Sequence, residues 1–314
     1  MDFDGVSKFY GLGKSKSGGW LGEQNKIREE KGKPLIAYED FEITFQHAII
    51  DGKIEDIIDN ALTQIDFVVG RLKKVMDAED YVLYIGGKGN YRYDCAKVLP
   101  YKGNRTEKPI LFAEIREAFI NKYKSKIVIT DGVEAEDFVA TKGHESYLKF
   151  KKTGEWPFVL AYIDKDVKQV YCPYLNYDKT EEGIIYPTPE DCMLSFTKQL
   201  LIGDRSTDNI PGLPVLNPEL ATKYGLRKVK GLGEATAEKL LDGRTVKEMF
   251  EIVVEAYKAH FGEEKKPFTT HRGDTVEWNW LDYLQDTAIL IYLQRREGEM
   301  YDIRTTLDKL KIDY

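Results

Sequence analysis

The sequence predicts an α/β fold, a core of parallel strands joined by helical crossovers, with a smaller helical domain after it. Three short apolar runs, 81–85 (YVLYI), 126–130 (KIVIT) and 158–163 (FVLAYI), are rich in β-branched and aromatic residues and lie far enough apart for crossover helices. One long segment between Ile54 and Val75 repeats its apolar residues at helical spacing, and beyond about residue 195 the strand signal fades.

Residues 11–34, rich in Gly, Lys, Ser and Glu without periodicity, read as a loop or insertion. The helix follows, with Ile54, Ile57, Ile58, Ala61, Leu62, Ile65, Val68, Val69 and Leu72 on one side. Between the first two strands lie a basic stretch from Lys88 to Arg105 and a helix presenting Phe112, Ile115 and Phe119. Segments around Leu200, 235–241 and 283–293 read as helices, whereas 261–274 (FGEEKKPFTTHRGD) reads as a polar loop. The division is therefore 1–195 for the α/β core and 196–314 for the helical domain. No internal repeat is evident.

Composition excludes several classes. Hydrophobic residues at 42% and charged residues at 32% suit a globular chain rather than a disordered one. No apolar run reaches the roughly 18 residues of a membrane span and no signal peptide opens the chain, so a cytoplasmic protein is expected. Cys95, Cys172 and Cys192 form no CxxC pair, which argues against a disulfide framework or a thiolate zinc site. A net charge of −7 would by itself disfavour nucleic acid as a partner. That total misleads where acids gather around cations and bases line the surrounding wall.

Carboxylates fall where strands end and in the loops after them, the place where open parallel sheets bind ligands. They are Asp2 and Asp4, Glu134, Glu136 and Asp137 after KIVIT, and Asp164 and Asp166 after FVLAYI, with Asp204 and Asp208 in the helical region. A single acid is usually a solvated residue or a helix cap. Seven or more at one edge would repel each other unless cations were bound, and all-oxygen ligation favours Mg²⁺ or Mn²⁺ over zinc. Two such ions about 4 Å apart suit in-line phosphodiester displacement. His47, His144, His260 and His271 are scattered without ligand spacing and read as structural or exposed.

Arg92, Lys97, Lys102 and Arg105 alternate with Tyr91, Tyr93 and Tyr101, a mixture that grips a single strand by charge and stacking. A solvated face explains such a run equally well on composition, but this one follows a strand ending near the acids. The segment 229–241 (VKGLGEATAEKLL) places Lys230, Gly231, Gly233 and Thr236 at a Gly-x-Gly hairpin opening a helix, where backbone amides meet phosphate. An ordinary helical corner is the blander reading of this hairpin.

Five segments in order, YRYDCAKVLPYKGNR (91–105), GVEAEDFVA (132–140), YIDKD (162–166), GDRSTDNIPG (203–212) and 229–241, resemble the 5′ nuclease superfamily of flap endonucleases and 5′–3′ exonucleases, most closely its bacteriophage replication branch. The resemblance implies a PIN-like parallel-sheet core with a basic arch or clamp at about 88–125, and a helix–hairpin–helix DNA-binding motif at about 200–241. It implies that Glu134, Glu136, Asp137, Asp164, Asp166, Asp204 and Asp208 hold Mg²⁺ or Mn²⁺ directly or support the ligands, with Asp2 or Asp4 as the N-terminal acid. Lys102 and Arg92 would engage the scissile phosphate as catalytic residues, with Lys97, Arg105, Lys230, Gly231, Gly233 and Thr236 on nucleic acid and K⁺ at the hairpin. The implied partners are DNA with a 5′ flap or 5′ end and RNA/DNA hybrid, with a single-strand-binding protein or polymerase. The implied state is a monomer acting in phage DNA replication or RNase H-type primer removal.

Three features depart from the family pattern. Asp2 directly follows Met1, so the family's opening strand has almost no counterpart there, which suggests a start placed too late. Gly87 stands where many relatives carry a metal-binding Asp, and Asp204 and Asp208 are four apart, still one face if helical. A second reading is a nucleic-acid-binding homologue with weak or lost hydrolysis, recognised by binding without cleavage. A third, a single-strand RNase with the same acidic core, is disfavoured by the hairpin at 229–241.

Overall fold

The computed structural model describes residues 26–35, 54–105, 108, 111–226 and 231–314. Asp2, Asp4 and Lys230, together with most of the 11–34 loop, lie outside the described residues.

The predicted long helix forms as α1 (Ile54–Val75). Its buried stripe is Ala61, Ile65, Val68 and Leu72, a 4-3-4 spacing that keeps one side chain per turn facing inward. Strand β1 (Leu83–Gly86) runs parallel to β2 (Ile127–Thr130), with Leu83 opposite Ile127 and Gly86 opposite Thr130. A short helix α2 (Arg92–Cys95) and then α3 (Phe112–Lys122) cross between them. Ile115 and Phe119 pack with Ala61, Ile65, Leu83 and Ile85 into a compact apolar cluster.

Helix α4 (Ala135–Thr153) leads to β3 (Leu160–Tyr162), which pairs in parallel with β4 (Tyr174–Asn176) across a 3₁₀ turn at Lys165–Gln169. The fold is thus mixed α/β with small parallel sheets. Two points correct the sequence reading. Among the described residues, β1–β2 and β3–β4 are separate two-stranded ladders rather than one sheet. Strand β2 is also not buried on both faces, since Val128 and Ile129 are 38% and 46% exposed.

The C-terminal half is helical, comprising α5 (Pro189–Ile202), α6 (Pro218–Lys223), α7 (Glu234–Leu241), α8 (Val246–Phe261), α9 (Trp280–Ile291) and α10 (Ile303–Leu310). Capping boxes at Thr188 and Thr245 set the starts of α5 and α8, satisfying orphan amides at each N-terminus. Leu200, Leu240, Val253, Leu284, Ala288 and Leu307 are fully buried in the largest apolar cluster among the described residues. The polar segment 261–274 is not a plain loop. It supplies strand β5 (Lys266–Thr269), antiparallel to β6 (Thr275–Trp278), with the Phe268 and Trp278 rings stacked at 4.9 Å. A cross-strand aromatic pair of this kind stabilises a hairpin whose charged residues hide the alternation.

After α9 the chain turns back to the N-terminal half. Leu293 N–H donates to Gln169 Oε1 at 3.1 Å, Gln169 Nε2 donates to the Ile291 carbonyl at 3.0 Å, and Gln294 N–H donates to Asp137 Oδ1 at 3.0 Å. These bonds anchor the N-terminus of α4 and the 3₁₀ turn, the two elements that carry most of the predicted acids. Among the described residues no helix is long and apolar enough to cross a membrane.

Candidate metal centre

Three elements converge. The N-terminus of α4 brings Glu134 and Glu136, the turn after β3 brings Asp164 and Asp166, and the turn after α5 brings Asp204 and Asp208. One carboxylate oxygen each from Glu136, Asp164 and Asp166 lies within 4.8 Å of the other two. Asp164 caps the 3₁₀ turn by accepting from Asp166 N–H at 3.0 Å, which brings two acids to the same side of the sheet edge. Burial, with Asp164 and Asp208 alongside, pushes the Asp166 carboxyl up to about 7. Close acids disfavour each other's charge in this way when no cation balances them. The donor set is all oxygen, and the side chains are half-buried rather than sealed in. Both properties fit a hard divalent cation such as Mg²⁺ or Mn²⁺.

The remaining acids are tied to protein groups. Lys102 Nζ contacts Glu134 Oε1 and lies 3.7 Å from Asp208 Oδ1, and Arg105 donates to Asp208 Oδ1 at 3.1 Å. The Tyr101 hydroxyl lies 2.8 Å from Asp208 Oδ2 and 3.0 Å from Glu134 Oε2, sharing its single proton between the two carboxylates. Lys165 reaches Asp204 Oδ2 at 2.9 Å. Burial would raise the Asp204 carboxyl, but Lys165 and the Thr207 amide outweigh it and leave it below its ordinary value. Burial lowers the Lys102 ammonium against the pull of Asp208.

Two interlocked turns produce this arrangement. Pro100–Gly103 is a tight turn closed by Gly103 N–H to the Pro100 carbonyl at 2.9 Å, with Lys102 at φ 55°, a left-handed conformation unusual for a residue with a Cβ. Asn209 Nδ2 donates to the Pro100 carbonyl at 2.9 Å, Asn104 Nδ2 to the Arg205 carbonyl at 2.7 Å, and Lys102 N–H to the Asp208 carbonyl at 2.9 Å. The strained lysine is therefore held from both sides, and its ammonium points at the acids. Asp204 and Asp208 are not on a helix, which corrects the sequence reading. They sit in a turn closed by paired backbone bonds between Asp204 and Ile210, both 2.9 Å. Gly203 opens that turn at φ 66°, and a Cβ there would fall 2.2 Å from Gly212 N, so no side chain fits.

Arg92 and Asp137 are brought to each other rather than to Glu136, Asp164 and Asp166. Arg92 is 1% exposed, and its guanidinium donates to Asp137 at 2.6 and 2.8 Å and to the Leu290 and Tyr292 carbonyls, each at 2.8 Å. The pair clamps α2, α4 and the end of α9 together. The Arg92 guanidinium is therefore engaged by Asp137 and these two carbonyls in this arrangement. The Lys97 amide donates to Asp286 Oδ1 at 2.9 Å and its ammonium to the Asp94 carbonyl at 3.3 Å. Gly231 and Gly233 lie before α7, with open space where a Cβ would stand, and Thr236 N–H bonds to the Gly233 carbonyl at 2.9 Å.

The space beside Gly87 is filled. A Cβ there would lie 2.1 Å from Asp131 Oδ1, which accepts from Lys88 N–H at 2.6 Å. An Asp at 87 would have to displace Asp131. Sequence reasoning did not single out Asp131, Lys165, Gln199 or the hydrogen-bonding role of Tyr101. The Pro-x-x-Gly turn signal at 100–103 was the available clue for Tyr101.

No protein-family model matches the chain, and no curated protein matches it. Among solved structures it is similar to a bacteriophage T5 flap endonuclease in a pseudo-enzyme-product complex with DNA and metal ions, at 17% identity over 64% of this chain and 84% of that one, with a TM-score of 0.35.

Proposed function

We propose that the chain is a divalent-metal-dependent, structure-selective 5′ nuclease, a 5′–3′ exonuclease or flap endonuclease acting on DNA or an RNA primer, as in phage replication. The observation that carries this reading is the convergence of Glu136, Asp164 and Asp166, with Lys102 and Arg105 held on the acids beside them. Bound there, one or two Mg²⁺ or Mn²⁺ ions would supply an activated water and charge stabilisation for phosphodiester displacement.

The protein's own groups divide the remaining work. Glu136, Asp164 and Asp166 are the residues that would hold the cation. Lys102, half-buried and strained toward the acids, is placed to neutralise an incoming phosphate, as a cation in a water-poor site does most effectively. Tyr101 keeps Glu134 and Asp208 in register, and Arg105, 39% exposed, extends the positive rim outward. Asp204, Asp208, Glu134 and Asp137, each set against a lysine or arginine, position rather than coordinate in this reading.

The division into a core at 1–195 and a helical domain at 196–314 belongs to the same proposal, as do the arch at 88–125 and duplex binding by the hairpin near Gly231 and Gly233 with K⁺. A labelled duplex bearing a 5′ flap, incubated with Mg²⁺ and with excess EDTA, tests the proposal. Cleavage near the junction that EDTA abolishes is expected, whereas full activity in EDTA would overturn the metal mechanism. Binding without cleavage in any Mg²⁺ or Mn²⁺ concentration would select the non-hydrolytic homologue instead.

A further inference from the structure

Helix α5 runs behind the acidic triad and packs against the 3₁₀ turn that carries Asp166. Gln199, on this helix, is 7% exposed, and its Nε2 donates to Asp166 Oδ1. Its other polar atom, Oε1, is buried and has no hydrogen-bond partner among the described residues. Buried polar groups are almost always satisfied, so an orphan carbonyl beside a cluster of carboxylates asks for a donor that none of the described residues supplies. Leu200 and Leu201, the next two residues, are fully buried and fix the helix face on which Gln199 sits. An apolar residue would fill the same space without leaving an unsatisfied oxygen. A glutamine here therefore serves the acids rather than the core.

We propose that Gln199 is a positioning residue for the cation site: its amide holds one oxygen of Asp166, leaving the other oxygen to the cation, and its free Oε1 accepts from a water that accompanies the cation. This role rests on the metal reading above. It assigns to α5 an outer-shell function of the kind that fixes carboxylate orientation in metal sites, where loss of one such partner weakens metal binding by roughly 10–100-fold. Gln169, by contrast, has both its carbonyl and its amide engaged by the 291–293 backbone, and carries no such demand.

The test is Mn²⁺ binding to the full chain at fixed pH, read as free Mn²⁺ by electron paramagnetic resonance, for the parent, Gln199→Met and Gln199→His. Methionine keeps the length and removes the donor. Histidine restores an N–H at similar reach but fits the space less well. The expected pattern is about tenfold weaker binding for Gln199→Met, substantial recovery for Gln199→His, and a metal-free melting temperature for Gln199→Met no lower than that of the parent. A purely structural glutamine would give the opposite order, with histidine the worse variant. Parent-like Mn²⁺ affinity in Gln199→Met, or no recovery in Gln199→His, would overturn the role of Gln199 alone. No Mn²⁺ binding by the parent would overturn the metal site itself.

Discussion

Two groups of acids lie side by side in this protein and are handled differently. Glu136, Asp164 and Asp166 converge on one another, whereas Glu134, Asp137, Asp204 and Asp208 are each held by Lys, Arg or Tyr. Crowded carboxylates disfavour each other's charge, as the raised Asp166 carboxyl shows, whereas an acid set against a lysine or arginine is partly neutralised. The two groups still share one field, since Asp208 and Asp204 both add to the upward shift of Asp166. Carboxylate count alone therefore does not define a metal site; what each carboxylate faces does. The same contrast separates the two basic residues expected at the phosphate, because Arg92 is locked into a buried pair and Lys102 stands at the acids.

The largest effect that would break this contrast is on cleavage. Asp164→Asn should reduce flap cleavage by at least ~10²–10³-fold, the scale seen when a group stabilising transition-state charge is removed, while DNA binding measured by fluorescence anisotropy persists. An equal loss in Asp204→Asn with unchanged stability would erase the distinction between the two groups.

The basic residues sharpen it. Arg92→Met leaves Asp137 buried without its partner and should cost roughly 3–5 kcal/mol in urea unfolding. Lys102→Met should keep the fold and lose cleavage by about 10²-fold, read as kcat rather than KM.

A third expectation concerns pH. The Asp166 carboxyl lies at about 7 and the Asp286 carboxyl at about 6 in the folded chain, both raised first by burial from an ordinary value near 3.8. The folded state thus holds extra protons in that window, and metal-free stability should fall as pH rises from about 4 to about 7. Added Mg²⁺ should raise the melting temperature most at the upper end of the window. A metal-free melting curve that climbs steadily over the same range would contradict this.

The smallest effect belongs to Lys165, which is half-exposed. Lys165→Met should cost about 1 kcal/mol or less at neutral pH. Asp204 titrates below its ordinary value in the folded chain, so this contribution is present above that value and disappears as pH falls through the folded-state one. Thermal melts of both proteins at neutral and acidic pH would show the difference closing.

Much of this was legible in the sequence, for identifiable reasons. Helix α1 was readable to its ends because its apolar stripe spans six turns, and β1, β2 and β3 because short β-branched runs have few other uses. The hairpin β5–β6 was not, since its lysines, threonines and glutamate give strand residues the composition of a loop. The acids at 134–137, 164–166 and 204–208 were named from their positions after strands and helices. Their division into converging and paired groups was hidden, because it depends on residues 32 to 157 positions away: Lys102 on Glu134, Tyr101 on Asp208, Gln294 on Asp137. Four-residue spacing suggested one helical face for Asp204 and Asp208, but the Gly203–Gly212 contact folds the chain back before a helical turn forms. Gln199 carried no sequence signal, as a single glutamine in an apolar helix has none.

The cation is expected among Glu136, Asp164 and Asp166 and not between Glu134 and Asp208. Anomalous scattering from a crystal of the chain grown with Mn²⁺ measures this directly. A manganese peak among those three carboxylates, with Lys102 still on Glu134, is the predicted result. A peak held by Glu134 and Asp208 after Lys102 has been displaced, with none at the triad, would contradict it.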